Sequence, residues 1–283
     1  MKKPIVLLAC LKQIELNNRV LLEAKTLIKN GYIVNLIGFT YDANYAGKSH
    51  INNIPSSAYQ LYNGRGGFKK IIRYLSAAFV VIQVWVEILL TKADVYHAHN
   101  FHVLIPSCIA ALFRRKKLIY DSHEIWTHHE DKTFSSEHIF AYLSERLCAH
   151  RIDALIGTNE LMEKFIQKKY NIQKSLSLYN TVRVKTLRNQ KLFHHVFNWP
   201  ESTKVALFQG GLWPSGRPLI EIIDAARFLP EDIKVVLLGC GPEDFLTKLQ
   251  AHINMNDLQE KVKIHPPVYG EELLDYTASA DLG

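Results

Sequence analysis

The sequence predicts an α/β protein of two domains, each built on a parallel sheet covered by helices on both faces. Short apolar runs alternate with amphipathic segments of helical length, which implies right-handed crossovers between parallel strands. A length of 283 residues suits two domains of ordinary size. The alternation restarts after a polar, weakly periodic stretch at about 183–203, so we assign the domains to 1–190 and 191–283. The second domain is expected to be incomplete, because only three strands are predicted in it.

Apolar runs and helical periodicity predict the elements of both domains in order. In the first domain, strands are predicted at 5–9, 33–39, 57–62, 94–99, 117–121, 153–158 and 176–179. Helices are predicted there at 19–29, 68–91, 103–113, 137–150 and 161–169. In the second domain, strands are predicted at 205–208, 233–238 and 262–264, and helices at 219–228 and 271–280.

The composition is that of an ordinary globular protein, with 48% hydrophobic and 22% charged residues, which excludes disordered and fibrous classes. The four cysteines are far apart and form no CxxC pair, which argues against a zinc knuckle or a disulfide framework and fits a cytosolic setting. No signal peptide is evident at the N-terminus. The apolar stretch 75–90 is interrupted by Ser76, Gln83 and Glu87, so we expect it to pack against a sheet.

The net charge of +7 is unevenly distributed. Residues 1–190 contain 26 Lys and Arg against 14 Asp and Glu, whereas residues 191–283 contain 8 against 13. A basic first domain attracts nucleic acid, anionic lipid headgroups or an anionic substrate. The sequence carries no RNA-binding signature, so we expect no nucleic-acid partner.

Polar residues follow two neighbouring predicted strands of the first domain. Ligand sites in parallel sheets lie at the carboxyl ends of strands, and side chains of this kind transfer protons or hydrogen-bond hydroxyls, as a sugar-handling cleft requires. The alternative for each histidine is a purely structural hydrogen bond at a strand end. The residues are His97, His99, Asn100 and His102 after one strand and Asp121, Ser122, His123 and Glu124 after the next.

A metal site from His97, His99 and His123 is the less favoured interpretation of these histidines. Imidazole is a common metal ligand, but no acidic or cysteine ligand has the familiar short spacing. We therefore predict no metal.

The stretch 204–218 predicts a second ligand site. An apolar strand runs into Gly210 and Gly211, and Arg217 precedes a helix, an arrangement that points backbone N–H groups and a helix dipole at one place and suits phosphate. A tight turn without a ligand is the alternative. The sequence has no GxSxG elbow, no GxxxxGK[ST] loop and no GxGxxG after its first strand, which argues against serine hydrolases, P-loop enzymes and ordinary dinucleotide-dependent dehydrogenases.

Ordered motifs across essentially the whole chain resemble those of family-4 retaining glycosyltransferases. The motifs are YHAHN at 96–100, YDSHE at 120–124, FQGGLWPSGRP at 208–218, LLGCGP at 237–242 and YTASADLG at 276–283. The resemblance implies the GT-B fold, in which two Rossmann-like domains face a cleft. It further implies that the first domain binds the acceptor and the second a nucleoside-diphosphate sugar.

The resemblance also implies roles for individual residues. His99 and Asn100 would contact the transferred sugar or the reacting groups, and His123 and Glu124 would line the acceptor side. An arginine that neutralises the leaving diphosphate removes the need for a metal ion or other cofactor. The residues expected to bind the donor are Asn180, Gly210, Gly211, Arg217, Gly239 and Gly241.

Three features depart from the family pattern. Ala9-Cys10-Leu11 lacks the glycine pair that often follows the first strand, and Pro218 replaces the glycine that commonly follows the basic residue. The glutamate pair that grips the donor is expected beyond residue 283, so we interpret the chain as truncated at its C-terminus.

The leading hypothesis is a glycosyltransferase that moves a sugar, with retention, to a lipid-linked or saccharide acceptor in cell-surface polysaccharide or glycolipid biosynthesis. Basic segments at Phe68-Lys69-Lys70, Arg73-Tyr74 and 114–117 predict a peripheral contact with the anionic inner face of the cell membrane, or else a solvated surface. The alternatives are a non-catalytic sugar-nucleotide-binding or scaffold subunit and, as a minor one, a sugar-nucleotide epimerase.

Overall fold

A computed structural model of the chain describes residues 3–64, 67–125, 136–181, 191–270 and 272–283, except for the side chains of residues 67, 68 and 70. The chain divides into an N-terminal unit, Met1–Val182, and a C-terminal unit, Arg183–Gly283. The sequence places this division after residue 190.

The N-terminal unit contains one sheet of eight strands in the order β3-β4-β2-β1-β5-β6-β7-β8. Every neighbouring pair is parallel except β3 and β4, as alternating strands and helices predict. The strands are β1 (Ile5–Gln13), β2 (Ile33–Thr40), β3 (Gly47–Ile51), β4 (Ile54–Gln60), β5 (Val95–His99), β6 (Lys117–Ser122), β7 (Ala154–Gly157) and β8 (Ser175–Ser177).

Helices cover both faces of this sheet. In β1, Leu7 and Ala9 point into one core and Val6 and Leu8 into the other, because successive side chains of a strand face opposite sides. The helices of the unit are α1 (Asn18–Lys29), α2 (Gly67–Leu90), α3 (Leu104–Arg114), α4 (Ser136–Cys148) and α5 (Glu160–Tyr170).

Helix α2 is apolar on two sides. Val80, Val84 and Ile88 are buried in the core, so this side packs as the sequence predicts. Residues 71–90 are long and apolar enough to cross a membrane by length and composition, yet only 17% of the most apolar window is buried. The helix therefore presents a second apolar side that the described residues of the N-terminal unit leave exposed.

The C-terminal unit contains a parallel three-stranded sheet in the order β11-β10-β9. Leu282 forms an isolated parallel bridge with Ala206, and the Leu207 N–H donates to the Leu282 carbonyl at 2.8 Å, so a further segment pairs beside β9. The elements are β9 (Lys204–Gln209), β10 (Ile233–Leu238), β11 (Val262–His265), α6 (Leu192–Phe197), α7 (Leu219–Ala225), α8 (Glu243–Met255) and α9 (Glu272–Ala278).

The predicted fold class, α/β with two parallel sheets, is confirmed. The sequence prediction omits β3, α6 and α8. Strand β3 forms a hairpin with β4 around Asn52 and Asn53, which have φ angles of 52° and 64° and therefore adopt the left-handed conformation of a tight hairpin turn.

Candidate functional site

Five ionisable side chains meet at the carboxyl ends of β5 and β6, beside helix α1. We call them the His-acid cluster. Strand β5 supplies two of its histidines, β6 and the loop after it supply an aspartate and a third histidine, and α1 supplies a glutamate. The members are Glu23, His97, His99, Asp121 and His123.

Arg19, at the start of α1, holds the cluster from one side. Its Nε and Nη2 donate to the two carboxylate oxygens of Asp121 at 2.7 and 2.9 Å. Its Nη1 donates to the Leu178 carbonyl at 2.6 Å and to Asn180 Oδ1 at 2.9 Å. The guanidinium therefore joins α1, β6 and the segment after β8, and both groups of the Arg19–Asp121 ion pair are buried.

The histidines contact Asp121 and one another. Asp121 Oδ2 lies 3.1 Å from His99 Nδ1 and 3.5 Å from His123 Nε2. The rings of His97 and His99 stack with centroids 4.3 Å apart, because residues two apart on a strand share one face. One buried carboxylate thus orients two imidazoles.

Burial and charge set the protonation of the cluster. Burial alone would raise the pKa of Asp121, but hydrogen bonds from His123, His99 and Arg19 outweigh it and hold that pKa well below its usual range. Burial and the Asp121 carboxylate raise the pKa of Glu23 to about 8. Burial also lowers the pKa of His97 and of His99, and Asp121 partly offsets this for His99. At pH 7 Asp121 is therefore ionised, whereas Glu23, His97 and His99 are neutral.

Asn100 connects β5 to the loop after β6. Its Oδ1 accepts from the His123 N–H at 3.0 Å, and its own N–H donates to the Asp121 carbonyl at 2.8 Å. Its backbone, with φ 68° and ψ 166°, occupies a region that glycine alone adopts readily, at a cost of about 1–3 kcal/mol. The strained residue is therefore one that holds His123 in the cluster.

A cavity of about 990 Å³ opens next to the cluster within the N-terminal unit. Glu23, His97 and His123 contribute to its wall, together with Arg19 and Asn180. Much of the remaining lining is apolar, from α1, the end of β1 and the segment after β8. The cavity therefore combines an apolar wall with one ionisable edge, as ligand pockets commonly do.

The predicted acceptor-side residues take different positions. His99, Asn100 and His123 come together, but the side chain of His99 is 1% exposed and does not line the cavity. Glu124 is exposed. Asn180, expected to bind the donor, accepts a hydrogen bond from Arg19 beside the cluster.

Two predicted donor-binding glycines permit close packing of two loops in the C-terminal unit. A Cβ on Gly239 would collide with the carbonyl of Gly210, and one on Gly241 would collide with the carbonyl of Leu212. The loops are also joined by hydrogen bonds, including one from the Gly210 N–H to the Leu238 carbonyl at 3.0 Å. Glycine is thus required at 239 and 241 by the fold itself.

Arg217 and Gly211 lie in the loop between β9 and α7. A Cβ on Gly211 would collide with the indole of Trp213. Arg217 is exposed, and no carboxylate among the described residues pairs with it. The loop therefore offers an uncompensated cation next to glycine-rich backbone.

The chain thus contains two parallel-sheet units, one with a polar cluster at its strand ends and one with a glycine-rich loop and an exposed cation, and it is a protein of the α/β class. The model of Glycosyltransferase Family 4 matches residues 16–183, more than half of the chain. The chain therefore belongs to that family and is a glycosyltransferase. No curated protein sequence matches it significantly.

Solved structures of GT-B glycosyltransferases share the fold. HepE from Anabaena, solved in complex with UDP and glucose, is 16% identical with a TM-score of 0.68, over 98% of this chain and 72% of that chain. Sucrose-phosphate synthase from Thermosynechococcus elongatus is 11% identical with a TM-score of 0.69, over 99% and 74%. WaaG, a glycosyltransferase involved in lipopolysaccharide biosynthesis, is 15% identical with a TM-score of 0.63, over 98% and 73%.

Sequence reasoning assigned no role to Arg19 or Glu23. They lie four residues apart, on one side of α1 next to its buried positions Val20 and Ala24. An i, i+4 pair of opposite charges is usually a solvated feature of a helix surface. The sequence does place Arg19 and Glu23 next to the apolar positions of α1, and this proximity was the available signal that both could be buried.

Proposed function

We propose that the chain transfers a sugar from a UDP-sugar to a lipid-linked or saccharide acceptor, with retention of anomeric configuration. The family match over residues 16–183 carries this proposal. The structure of HepE in complex with UDP-glucose supports the choice of nucleotide. Retention follows from the resemblance of the ordered motifs to those of retaining enzymes.

The loop between β9 and α7 is proposed to bind the donor diphosphate. Negative charge builds up on the diphosphate as the sugar leaves, and a fixed cation stabilises that charge most in the transition state. Arg217 is the exposed, unpaired cation of this loop. In the same loop the Gly211 N–H is proposed to approach a phosphate, whereas the Gly210 N–H already donates to the Leu238 carbonyl.

The cavity beside the His-acid cluster is proposed to bind the acceptor. His123 lines this cavity and contacts Asp121, so it is oriented to hydrogen-bond an acceptor hydroxyl. His99 is buried behind it and positions the cluster through Asp121. The apolar wall suits an acceptor with a hydrophobic part.

The second apolar side of α2 is proposed to rest on the cytoplasmic face of a membrane, where a lipid-linked acceptor would be found. Exposed residues recur along it at helical spacing, and they include Leu75, Phe79, Ile82, Val86 and Leu90. Such a helix lies in the interface with its apolar side in the lipid.

The basic residues near this surface differ in how free they are to contact a membrane. Lys69 is exposed, whereas Arg114 donates to the Leu89 carbonyl at 2.6 Å. Lys116 pairs with Asp94 and Lys117 with Asp153. Phe68 and Lys70, also predicted to contact the membrane, lie outside the described side chains. Apolar contact is therefore proposed as the main attraction.

Thermal unfolding in the presence of UDP-, GDP- and ADP-sugars tests the donor assignment. A ligand that binds only the folded state raises the melting temperature, by an amount set by its concentration relative to Kd. We expect UDP-sugars to raise it most. The absence of a shift with every nucleotide sugar would contradict the proposal.

Flotation with vesicles tests the membrane assignment. Leu75→Glu should reduce binding to vesicles that contain anionic lipid, because a charge enters the apolar side of α2. Leu161→Glu is the matched control, since Leu161 is 84% exposed on a different helix, α5. Equal binding by both variants would contradict the assignment.

A further inference from the structure

Helix α2 extends beyond the sheet that it covers. It connects β4 to β5, which run in the same direction in the sheet, so the helix runs antiparallel to both strands. The Tyr62 N–H, two residues after the end of β4, donates to Ser76 Oγ at 3.1 Å. Ser76 therefore lies level with the carboxyl end of β4. The turns that begin at Gly67 start about 14 Å further out, at about 1.5 Å per residue.

The side of α2 that faces the sheet changes character where the helix leaves it. Val80, Val84 and Ile88 recur on this side and are buried. Arg73 and Lys69 precede Val80 by almost two and three full turns, so they lie on the same side. No described side chain from Lys69 to Phe79 is buried, and we call residues 67–79 the projecting segment. The side that is apolar against the core is thus basic in the projecting segment.

The opposite side of the projecting segment is apolar and exposed. Ile71, Leu75 and Phe79 recur at four-residue spacing and are 55%, 66% and 60% exposed. Ile72 and Tyr74, beside them, are exposed as well. A helical segment of this length is stabilised mainly by the packing of its apolar side, and a contiguous exposed apolar surface marks an interaction site. The projecting segment therefore calls for an apolar partner.

The charges of α2 are complementary to an anionic partner. The projecting segment contains three basic and no acidic residues. The acid of α2, Glu87, turns toward the sheet and accepts hydrogen bonds from two hydroxyl groups of β4, both at 3.3 Å. Lys69 and Arg73 pair with no carboxylate among the described residues. A bilayer with anionic headgroups and an apolar interior matches both sides of the segment.

We propose that the projecting segment inserts into the interface of a bilayer that contains anionic phospholipid. Ile71, Leu75 and Phe79 enter the acyl region, and Lys69 and Arg73 bind lipid phosphates. The inference rests on the proposed membrane contact of α2 and narrows it to the part of the helix that the sheet does not hold.

Insertion of this segment also orients the N-terminal unit. The segment projects past the edge at which the parallel strands end, and the His-acid cluster lies at the same edge, at the ends of β5 and β6. Insertion would therefore hold that edge of the sheet toward the lipid headgroups. A sugar attached to a membrane lipid would lie at the same level.

Two leucines of α2 provide a matched test with phosphatidylcholine vesicles that contain phosphatidylglycerol. Leu75→Ala and Leu90→Ala remove the same atoms from one side of one helix, and the two side chains are 66% and 69% exposed. Leu75→Ala should weaken vesicle binding of the full chain by about tenfold or more, because that side chain leaves water for lipid. Leu90→Ala should change it less than about twofold, because that side chain transfers little apolar area.

The two cations are tested with vesicles of phosphatidylcholine alone and with phosphatidylglycerol added. Lys69→Gln and Arg73→Gln should each weaken binding to the anionic vesicles by about fivefold and leave binding to the neutral vesicles unchanged. Lys248→Gln, at an exposed lysine of α8, is the matched control and should bind both as the wild type does. Equal effects of all three substitutions would contradict a lipid-phosphate contact at Lys69 and Arg73.

The outcomes separate this proposal from those on which it rests. Equal weakening by Leu75→Ala and Leu90→Ala, with the wild type bound, would leave the membrane contact of α2 in place and overturn insertion of the projecting segment. A wild type that binds neither kind of vesicle would overturn both. A dimer in analytical ultracentrifugation that Leu75→Ala dissociates, without vesicle binding, would show that a second copy covers the segment instead. The melting-temperature shift with UDP-sugar should be the same in every variant.

Discussion

The His-acid cluster and the loop between β9 and α7 place their polar groups in opposite ways. In the cluster, Asp121 is fully buried and held by an arginine and two histidines. In the loop, Arg217 is exposed and unpaired among the described residues, and Gly239 and Gly241 of the adjoining loop pack against its backbone. The charge of Asp121 is therefore compensated within the N-terminal unit. The positive charge of Arg217 has no partner among the described residues and is available to an anionic ligand.

Breaking the buried ion pair should have the largest effect on stability. Asp121→Asn removes the doubly hydrogen-bonded countercharge of the buried Arg19 guanidinium and leaves Glu23, whose Oε1 lies 3.3 Å from Arg19 Nε, as the remaining carboxyl group; we expect this to lower the free energy of unfolding by about 3 kcal/mol. Urea denaturation measures this loss. Glu160→Gln removes an exposed ion pair with Lys164 and should cost less than about 0.5 kcal/mol. Equal losses in the two variants would show that the buried Arg19–Asp121 ion pair stabilises the fold no more than an exposed ion pair does.

Adding a methyl group where the two loops of the C-terminal unit meet should have a smaller effect. Gly239→Ala forces a Cβ against the Gly210 carbonyl, which we expect to cost about 1–3 kcal/mol. Hydrogen exchange should show faster opening of β10. Gly216→Ala meets no atom within 4 Å and should cost about 1 kcal/mol, from its φ of 71° alone. Unchanged exchange in β10 of Gly239→Ala would contradict the close approach of the loops.

Glu145 is a second buried carboxyl group of the N-terminal unit, and it makes the free energy of unfolding depend on pH. Glu145 accepts hydrogen bonds from Tyr120 and Tyr170 at 2.7 and 2.9 Å, yet burial raises its pKa. Because the folded state prefers the protonated form, this residue makes stability fall as pH rises from about 4.5 to the folded pKa.

Glu145→Gln should remove that fall, which amounts to about 1.4 kcal/mol for each unit by which the pKa is raised. Melting temperatures between pH 4 and 8 measure it, and Glu160→Gln should follow the wild type. A constant difference between Glu145→Gln and the wild type over this range would show that the pKa of Glu145 is not raised.

The sequence predicted much of the fold and part of the cluster. The carboxyl ends of parallel strands meet at one edge, so His99, Asn100 and His123 could be expected to lie together. Arg19 and Glu23 could not, because their burial depends on how α1 packs over the strand ends. Strand β3 was missed although Asn52-Asn53 is a usable hairpin signal.

The glycines show a different limit of sequence reasoning. A glycine-rich strand end is typical both of a phosphate loop and of two loops in close contact. Gly239 and Gly241 serve the second purpose, which only the three-dimensional approach of 210–212 reveals. Whether the same loop also binds a diphosphate stays a prediction.

We propose that the donor is bound by the C-terminal loop and the acceptor by the cavity of the N-terminal unit. Melting temperatures with saturating UDP-sugar, measured for the wild type, Arg217→Ala and His123→Ala, test it most directly. We predict that Arg217→Ala loses most of the donor-induced shift and that His123→Ala retains it. A shift that persists in Arg217→Ala and disappears in His123→Ala would contradict the claim.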